Sequence, residues 1–333
     1  MSGSSLPYRL RPNKFIDREL FVDLINHLIP QRGASNYVYI SMGGQHLIDH
    51  SIVYRRTGIS NLYSFDISSE TVKRQQFNRP LDTVICERLE STHLAGSLDR
   101  ITSSFHEDAN VIVWLDYTEP GGRLQQLQET VAVAKRLQPG DVLRVTFNAN
   151  AGTLDEGGDT AAWKGAGAVG PGPYRCDRLR EQVGDYLPAE LKSIGDGEFP
   201  SALTRAVSLA LSRASLESGS GLAFKPVLLT TYKDGQRMVT ATVIVIDDEH
   251  PFRVDSQTWC FLPASWTNIL EITAPDLSAR ERHKLDQELS KSPQDIHDEL
   301  GFNLDAGQKR SIQAIESYRK FRRFYPSFHH TEA

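Results

Sequence analysis

Apolar side chains recur along this chain with two periods. Residues 15–29 place Phe15, Ile16, Leu20, Phe21, Leu24, Ile25 and Leu28 at helical spacing, and Pro30 stops that helix. Residues 37–40 then read as a strand, followed by the turn Ser41, Met42, Gly43, Gly44 and a helix over 46–56. The same strand-then-helix unit repeats. Strands are predicted at 62–65, closing on Asp66, and at 83–86, with helices over 70–78, stopped by Pro80, and 94–105. Residues 111–115 are a continuous apolar run closing on Asp116, the pattern of a central strand covered on both faces. A helix over 123–137, a turn at Pro139, Gly140 and Asp141, and a fifth strand at 142–147 complete the series. Alternating strands and helices force parallel pairing with right-handed crossovers.

The rest of the pattern departs from that repeat. Two β-rich runs, 227–232 and 238–246, flank Asp234 and Gly235, a strong hairpin signal. Parallel units ending in an antiparallel hairpin predict an α/β, Rossmann-like sheet whose last strand runs against its neighbours. An insertion over 150–226 separates the fifth strand from the hairpin. It opens with a glycine- and proline-rich stretch, 152–173, of the kind used for lids and binding loops, and continues as helices over 177–216. Beyond residue 250, Ser278 and Glu281 form a capping box, Pro293 and Gly301 bracket a second helix, and Asp305 is placed to cap a third that reaches Phe324. The expected domains are a helical preface over 1–35, the α/β domain over 36–250 and a helical module over 251–333.

Composition narrows the class. With 333 residues, 39% hydrophobic and 24% charged, the chain can bury a large core. A net charge of -5 excludes a surface built throughout for nucleic acid. Cys86, Cys176 and Cys260 are far apart, which excludes a disulfide scaffold and a cysteine-based zinc site and fits a reducing, cytoplasmic setting. No segment has the length and apolarity of a signal peptide or membrane span, so no membrane partner is expected.

Ligands of open α/β sheets sit outside the carboxyl ends of the strands, where strand order reverses. Those ends carry Met42, Gly43 and Gly44, then Asp66 with Ile67, Glu87 with Arg88, and Asp116 with Tyr117. Acidic residues closing three successive strands make a candidate site. Glu119 is a second acid in the fourth loop, and an N-cap role ahead of Arg123 is the competing account of Asp116. Gly165 to Gly170 spell a dinucleotide-loop pattern with no strand before it, and read as loop. His46, Asp49 and His50 share a helix face and read as packing rather than metal ligands, with Asp49 able to point toward a nucleoside. The run from Tyr318 to Tyr325 interleaves bases with aromatic rings. It can pack its rings or meet nucleic acid or protein.

Residues 36–247 resemble class I S-adenosylmethionine-dependent methyltransferases, and more closely a poorly characterised bacterial group of methyltransferase-like proteins, some linked to antiviral defence loci. The phrases that carry the likeness run from Tyr8 to Lys14, from Tyr39 to Gly44 with Asp49, from Trp114 to Tyr117, from Val145 to Ala149 and from Phe321 to Pro326. The resemblance implies S-adenosyl-L-methionine as small-molecule cofactor, held by Met42, Gly43, Gly44, Asp49, Asp66, Ile67, Glu87, Arg88 and Asp116. Methyl transfer then goes to an unidentified acceptor, with Asp116 orienting or deprotonating it, Tyr117 stacking on it and Glu119 in reserve as base. The first turn lacks the family's acidic residue, and Asp116, Tyr117, Glu119 and Pro120 echo the amino-methyltransferase loop in altered order. Two alternatives stay open: a non-catalytic sensor or scaffold in a defence assembly, and a nucleic-acid-modifying or nucleic-acid-binding subunit.

Overall fold

The computed structural model describes residues 11–29, 33–106, 108–219, 221–250, 254 and 257–326. Pro30, expected to stop the first helix, and Tyr8, Arg9 and Leu10 lie outside the described residues.

Helix α1 (Pro12–Leu28) is followed by β1 (Tyr37–Ser41), α2 (Ile48–Thr57), β2 (Asn61–Asp66), α3 (Ser69–Asn78), β3 (Ile85–Arg88), α4 (Leu94–Ser103), β4 (Asn110–Asp116), α5 (Arg123–Ala134) and β5 (Val142–Asn148). The insertion carries α6 (Ala162–Gly165) and α7 (Pro171–Val183), and α8 (Phe199–Ser218) precedes the hairpin strands β6 (Ala223–Asp234) and β7 (Gln236–Ile246). A short β8 (Leu270–Ile272) leads to α9 (Ala279–Gln287), α10 (Pro293–Leu300) and α11 (Gln308–Phe321). The sheet order is β3-β2-β1-β4-β5-β7-β6-β8, with β1 to β5 parallel and β7 antiparallel to β5. This is the mostly parallel, Rossmann-like sheet of class I methyltransferases. Strand order reverses between β1 and β4.

The chain divides into two compact units, residues 21–231 with 236–270, and residues 1–20 with 232–235 and 271–333. In the larger unit one face of the sheet is apolar. Val38, Ile40, Val113, Leu115, Leu143, Val145 and Val243 form one core with Leu98 and Ile101 of α4, Leu127 and Val131 of α5, and Leu203 and Val207 of α8. Strand residues alternate between faces, so Ser41, Ser64, Trp114, Arg144, Thr146, Thr240 and Thr242 occupy the opposite face, and all are buried. Here the central strands differ from a purely apolar pattern: the Trp114 indole donates to Thr146 Oγ1 at 2.9 Å, and Arg144 donates to Thr242 Oγ1 at 2.7 Å. The Arg144 guanidinium lies against the rings of both Phe21 and Trp114, 4.5 and 4.6 Å from their centres. Stacking and hydrogen bonding offset the desolvation of that cation.

The hairpin turns at Gly235, whose φ of +104° only glycine adopts readily. In the smaller unit the Asp234 carboxylate accepts from the backbone N–H of Asn13 at 3.3 Å and of Lys14 at 2.7 Å, capping the first turn of α1. The Ser278–Glu281 capping box opens α9 as expected, and Gly301 closes α10 in a left-handed conformation. Asp305 does not cap α11. The cap position is Gly307, and the Asp305 N–H donates to Ser311 Oγ at 3.1 Å. Along α11 and the turn after it, Tyr318, Phe321 and Phe324 are buried while Arg322 and Arg323 face solvent. Tyr318 donates to Asp286, and Arg319 donates to the carbonyls of Lys291 and Leu289, so the rings of this basic run serve packing.

Candidate functional site

Strand register sets the site. Ser41 pairs with Ser64 on β2 and with Trp114 on β4. Two residues further on, β2 ends at Asp66 and β4 at Asp116, with Arg88 opposite Asp66 and Thr146 opposite Asp116, while β1 gives way after Ser41 to the turn at Met42 and Gly43. A glycine turn is therefore flanked by two carboxylates at the point where strand order reverses.

The turn after β1 is tightly built. Gly43 and Gly44 have φ of +65° and +55°, and Leu47 takes a left-handed conformation immediately before α2. A Cβ on Gly43 would meet Leu47 Cδ2 and His50 Cε1 at 2.8 Å, with Ser64 Oγ closer still, whereas one on Gly44 would meet nothing within 4 Å. Gly43 is required by packing beneath the turn, and Gly44 leaves bare backbone facing open space. Helix α3 holds the turn through Gln75 Nε2 to the Met42 carbonyl at 3.1 Å, Asn78 Nδ2 to the Gln45 carbonyl at 2.9 Å, and Arg74 on the Gln45 side chain. His50 is fully buried with Nε2 on the Tyr63 carbonyl at 3.0 Å, and burial pushes its pKa below the usual value. Asp49 is buried beside it, while His46 bonds to Gln45 at the surface. Among the described residues no cluster of three or more His, Cys, Asp or Glu is arranged to hold a metal ion.

At the end of β2, Asp66 Oδ1 accepts from the Ser68 N–H at 2.8 Å, and Ser68 in turn caps α3. Ile67 is exposed, and its carbonyl accepts from Arg88 Nε at 3.0 Å. Glu87 is already engaged. Arg100 donates to both its oxygens at 3.0 Å and the Tyr63 hydroxyl donates at 2.6 Å; burial, and after it the Glu87 carboxylate, raises the Tyr63 pKa, with Arg100 acting against them.

The fourth loop separates the residues expected to act together. Asp116 ends β4, half-buried. Tyr117, expected to stack on an acceptor, instead turns into the apolar core: it is 8% exposed, its ring lies 6.1 Å from Phe147, and its hydroxyl donates to the buried Glu129 at 2.6 Å. Strand alternation is the reason, since Tyr117 shares a face with Leu115. Asp116 does not occupy the cap position of α5, which is Gly122; Glu119 caps the short turn over 120–122, its Oε1 accepting from the Gly121 N–H at 3.3 Å.

Two cations, the buried Arg123 and the half-buried Arg175, carry no local sequence signal. Arg123 is fully buried at the start of α5 and donates to Gln182 Oε1 at 2.7 Å, the Asn148 carbonyl at 3.1 Å and Thr153 Oγ1 at 2.7 Å. Burial lowers its pKa to about 10, with Glu119 acting against that shift. Arg175 grips Asp155 through two bonds, Nε to Oδ1 at 2.9 Å and Nη2 to Oδ2 at 2.8 Å. These contacts tie down the start of the glycine-rich stretch, whose later part, 156–170, is largely exposed. Gly165 ends a four-residue helix, so the glycine pattern there has no strand-to-helix turn.

A family described as "Putative O-methyltransferase" matches residues 6–333. The chain belongs to this O-methyltransferase family. It is therefore a methyltransferase. No curated protein matches it closely enough to count as a relative. Among solved structures, Trm1 from Pyrococcus horikoshii in complex with S-adenosyl-L-methionine is 16% identical over 72% of this chain and 58% of that one, with a TM-score of 0.43. The N-methyltransferase NodS from Bradyrhizobium japonicum WM9 is 14% identical over 70% of this chain and 97% of that one, with a TM-score of 0.36. An S-adenosylmethionine-dependent methyltransferase from Anabaena variabilis ATCC 29413 is 9% identical over 70% and 86%, with a TM-score of 0.37. The assignment rests on the family match and on the strand order, not on these distant likenesses. No described helix is long and apolar enough to cross a membrane.

Proposed function

We propose that this protein transfers the methyl group of S-adenosylmethionine to a hydroxyl oxygen, at the carboxyl ends of β2, β1 and β4. The observation that carries the reading is the glycine turn after β1, set between the strands that end at Asp66 and Asp116 where strand order reverses. In this reading Gly44 lets backbone approach the cofactor, Asp66 accepts from its ribose hydroxyls, and Ile67 and Arg88 border its base. The bound cofactor supplies an electrophilic methyl. Glu87 contributes indirectly, by fixing Tyr63 and Arg100 beneath the end of β3. The Tyr117 hydroxyl, committed to Glu129, leaves Asp116 as the side chain to orient the acceptor hydroxyl and take its proton, with Glu119 exposed in the same loop. A positioned base of this kind contributes about 10²–10⁴-fold. The stretch over 152–173, anchored at Asp155, shapes entry for the acceptor.

Calorimetric titration with S-adenosylhomocysteine tests the site. Wild-type protein and Asp116→Asn should bind and Asp66→Ala should not. Failure of the folded wild type to bind overturns the proposed site, and binding that Asp66→Ala leaves untouched moves it elsewhere. Acceptor screens with labelled cofactor then follow for the wild type, with Asp116→Asn as the chemical control.

A further inference from the structure

Three buried polar atoms around the Met42–Gly43 turn have no hydrogen-bond partner: His50 Nδ1, Ser64 Oγ and Gln75 Oε1. They come from α2, β2 and α3, and each side chain is fully buried. Folded proteins leave few such atoms, and they concentrate where function demands them. Two of the three side chains touch the turn itself, since the Ser64 hydroxyl and the His50 ring close off the space beside Gly43. The third, Gln75, holds the Met42 carbonyl with its amide and keeps its own carbonyl oxygen unspent.

The His50 ring is fixed from several sides. Its Nε2–H is committed to the Tyr63 carbonyl, so in the neutral ring Nδ1 carries a lone pair, and the ring stands edge-on to Tyr39 with centres 5.1 Å apart. We infer that His50 is a positioning residue for the cofactor: its neutral ring sets the height of Gly43 and Gly44, and a protonated ring displaces the turn and weakens binding. This rests on the cofactor site proposed above. A proton on Nδ1 would put an N–H with no acceptor, and a full charge, into a packed interior. The groups facing the ring are Asp49 on α2, which favours the proton, Tyr39 on β1, the Tyr63 carbonyl and Ser64 on β2, and Gln75 on α3. Burial outweighs Asp49 and the Tyr63 bond, which keeps the ring neutral at pH 7.

The test is the affinity for S-adenosylhomocysteine measured by calorimetry from pH 8 to pH 5.5, beside a ¹⁵N NMR titration of the His50 ring in the same wild-type protein. Affinity should stay flat through neutral pH and fall only as the ring takes up its proton, below the ordinary histidine value of 6.5, approaching tenfold per pH unit below the ring's own midpoint. The ring should show the Nε2–H form when neutral. His50→Gln, which keeps an amide N–H for the Tyr63 carbonyl, should bind at least about threefold more weakly at pH 7.5 and lose the acid limb, while Ser64→Ala should keep it. An acid limb retained in His50→Gln, an Nδ1–H ring, or a wild-type limb whose midpoint differs from that of the ring would overturn the inference. No binding by wild type at any pH would instead remove the cofactor site on which it rests.

Discussion

The guanidinium of Arg123 stacks on Phe199, 5.1 Å from the ring centre, and neither side chain reaches solvent. Arg123 thereby joins the first residue of α5 to α8, to the end of β5 and to the opening of the insertion. Arg123→Ala leaves Gln182, the Asn148 carbonyl and Thr153 without their donor and opens a cavity, so it should cost about 2–4 kcal/mol in urea unfolding. A loss below about 1 kcal/mol would show that water replaces the contact. Because the folded pKa of about 10 lies below the usual 12.5, this group adds no slope to stability between pH 5 and 9. Above pH 10 the unfolded chain holds the proton more tightly, and this group's contribution rises with pH.

Gly43→Ala should be damaging twice over. The backbone angle of +65° disfavours any L side chain by about 1–2 kcal/mol, and the new methyl overlaps His50, Ser64 and Leu47. Thermal unfolding should fall by several degrees and binding of S-adenosylhomocysteine should be lost. Gly44→Ala, with open space around it, should retain stability more nearly, and equal melting points for the two variants would contradict this account.

Tyr117→Phe separates a structural from a chemical role. It removes the 2.6 Å bond to Glu129, leaving that buried carboxylate with Gln125, and should cost about 1–3 kcal/mol of stability. Methyl transfer by the folded variant should stay within about twofold of wild type on the reading of Asp116 as base. A tenfold drop in kcat with cofactor binding intact would return Tyr117 to the reaction.

Arg175 and Asp155 should behave asymmetrically. Arg175→Ala strands a carboxylate that is 3% exposed, at a cost of about 3–5 kcal/mol, whereas Asp155→Ala leaves Arg175 with Asp196 as a partner. Denaturant unfolding should rank Arg175→Ala as the more destabilised, and limited proteolysis should cut first within residues 156–170 in either variant. The reverse ranking would show that Asp196, not Asp155, is the principal partner.

The chain's own pattern determined the parallel units, the reversal into a hairpin at Gly235, the capping box at Ser278 and the acids closing β2, β3 and β4. Each is a local consequence of periodicity, backbone freedom at glycine or hydrogen bonding within a few residues. Tertiary structure decided what those side chains are engaged with. Glu87 is consumed by Arg100 and Tyr63, 13 and 24 residues away in sequence, and Tyr117, on the core face with Leu115, commits its hydroxyl to Glu129 on the following helix. The buried Arg123 and Arg144 were equally hidden, because a charged residue in a helix or strand reads as surface until its partners arrive from distant elements. Burial of polar groups depends on long-range pairing, and pairing over such separations leaves no periodic trace in the sequence.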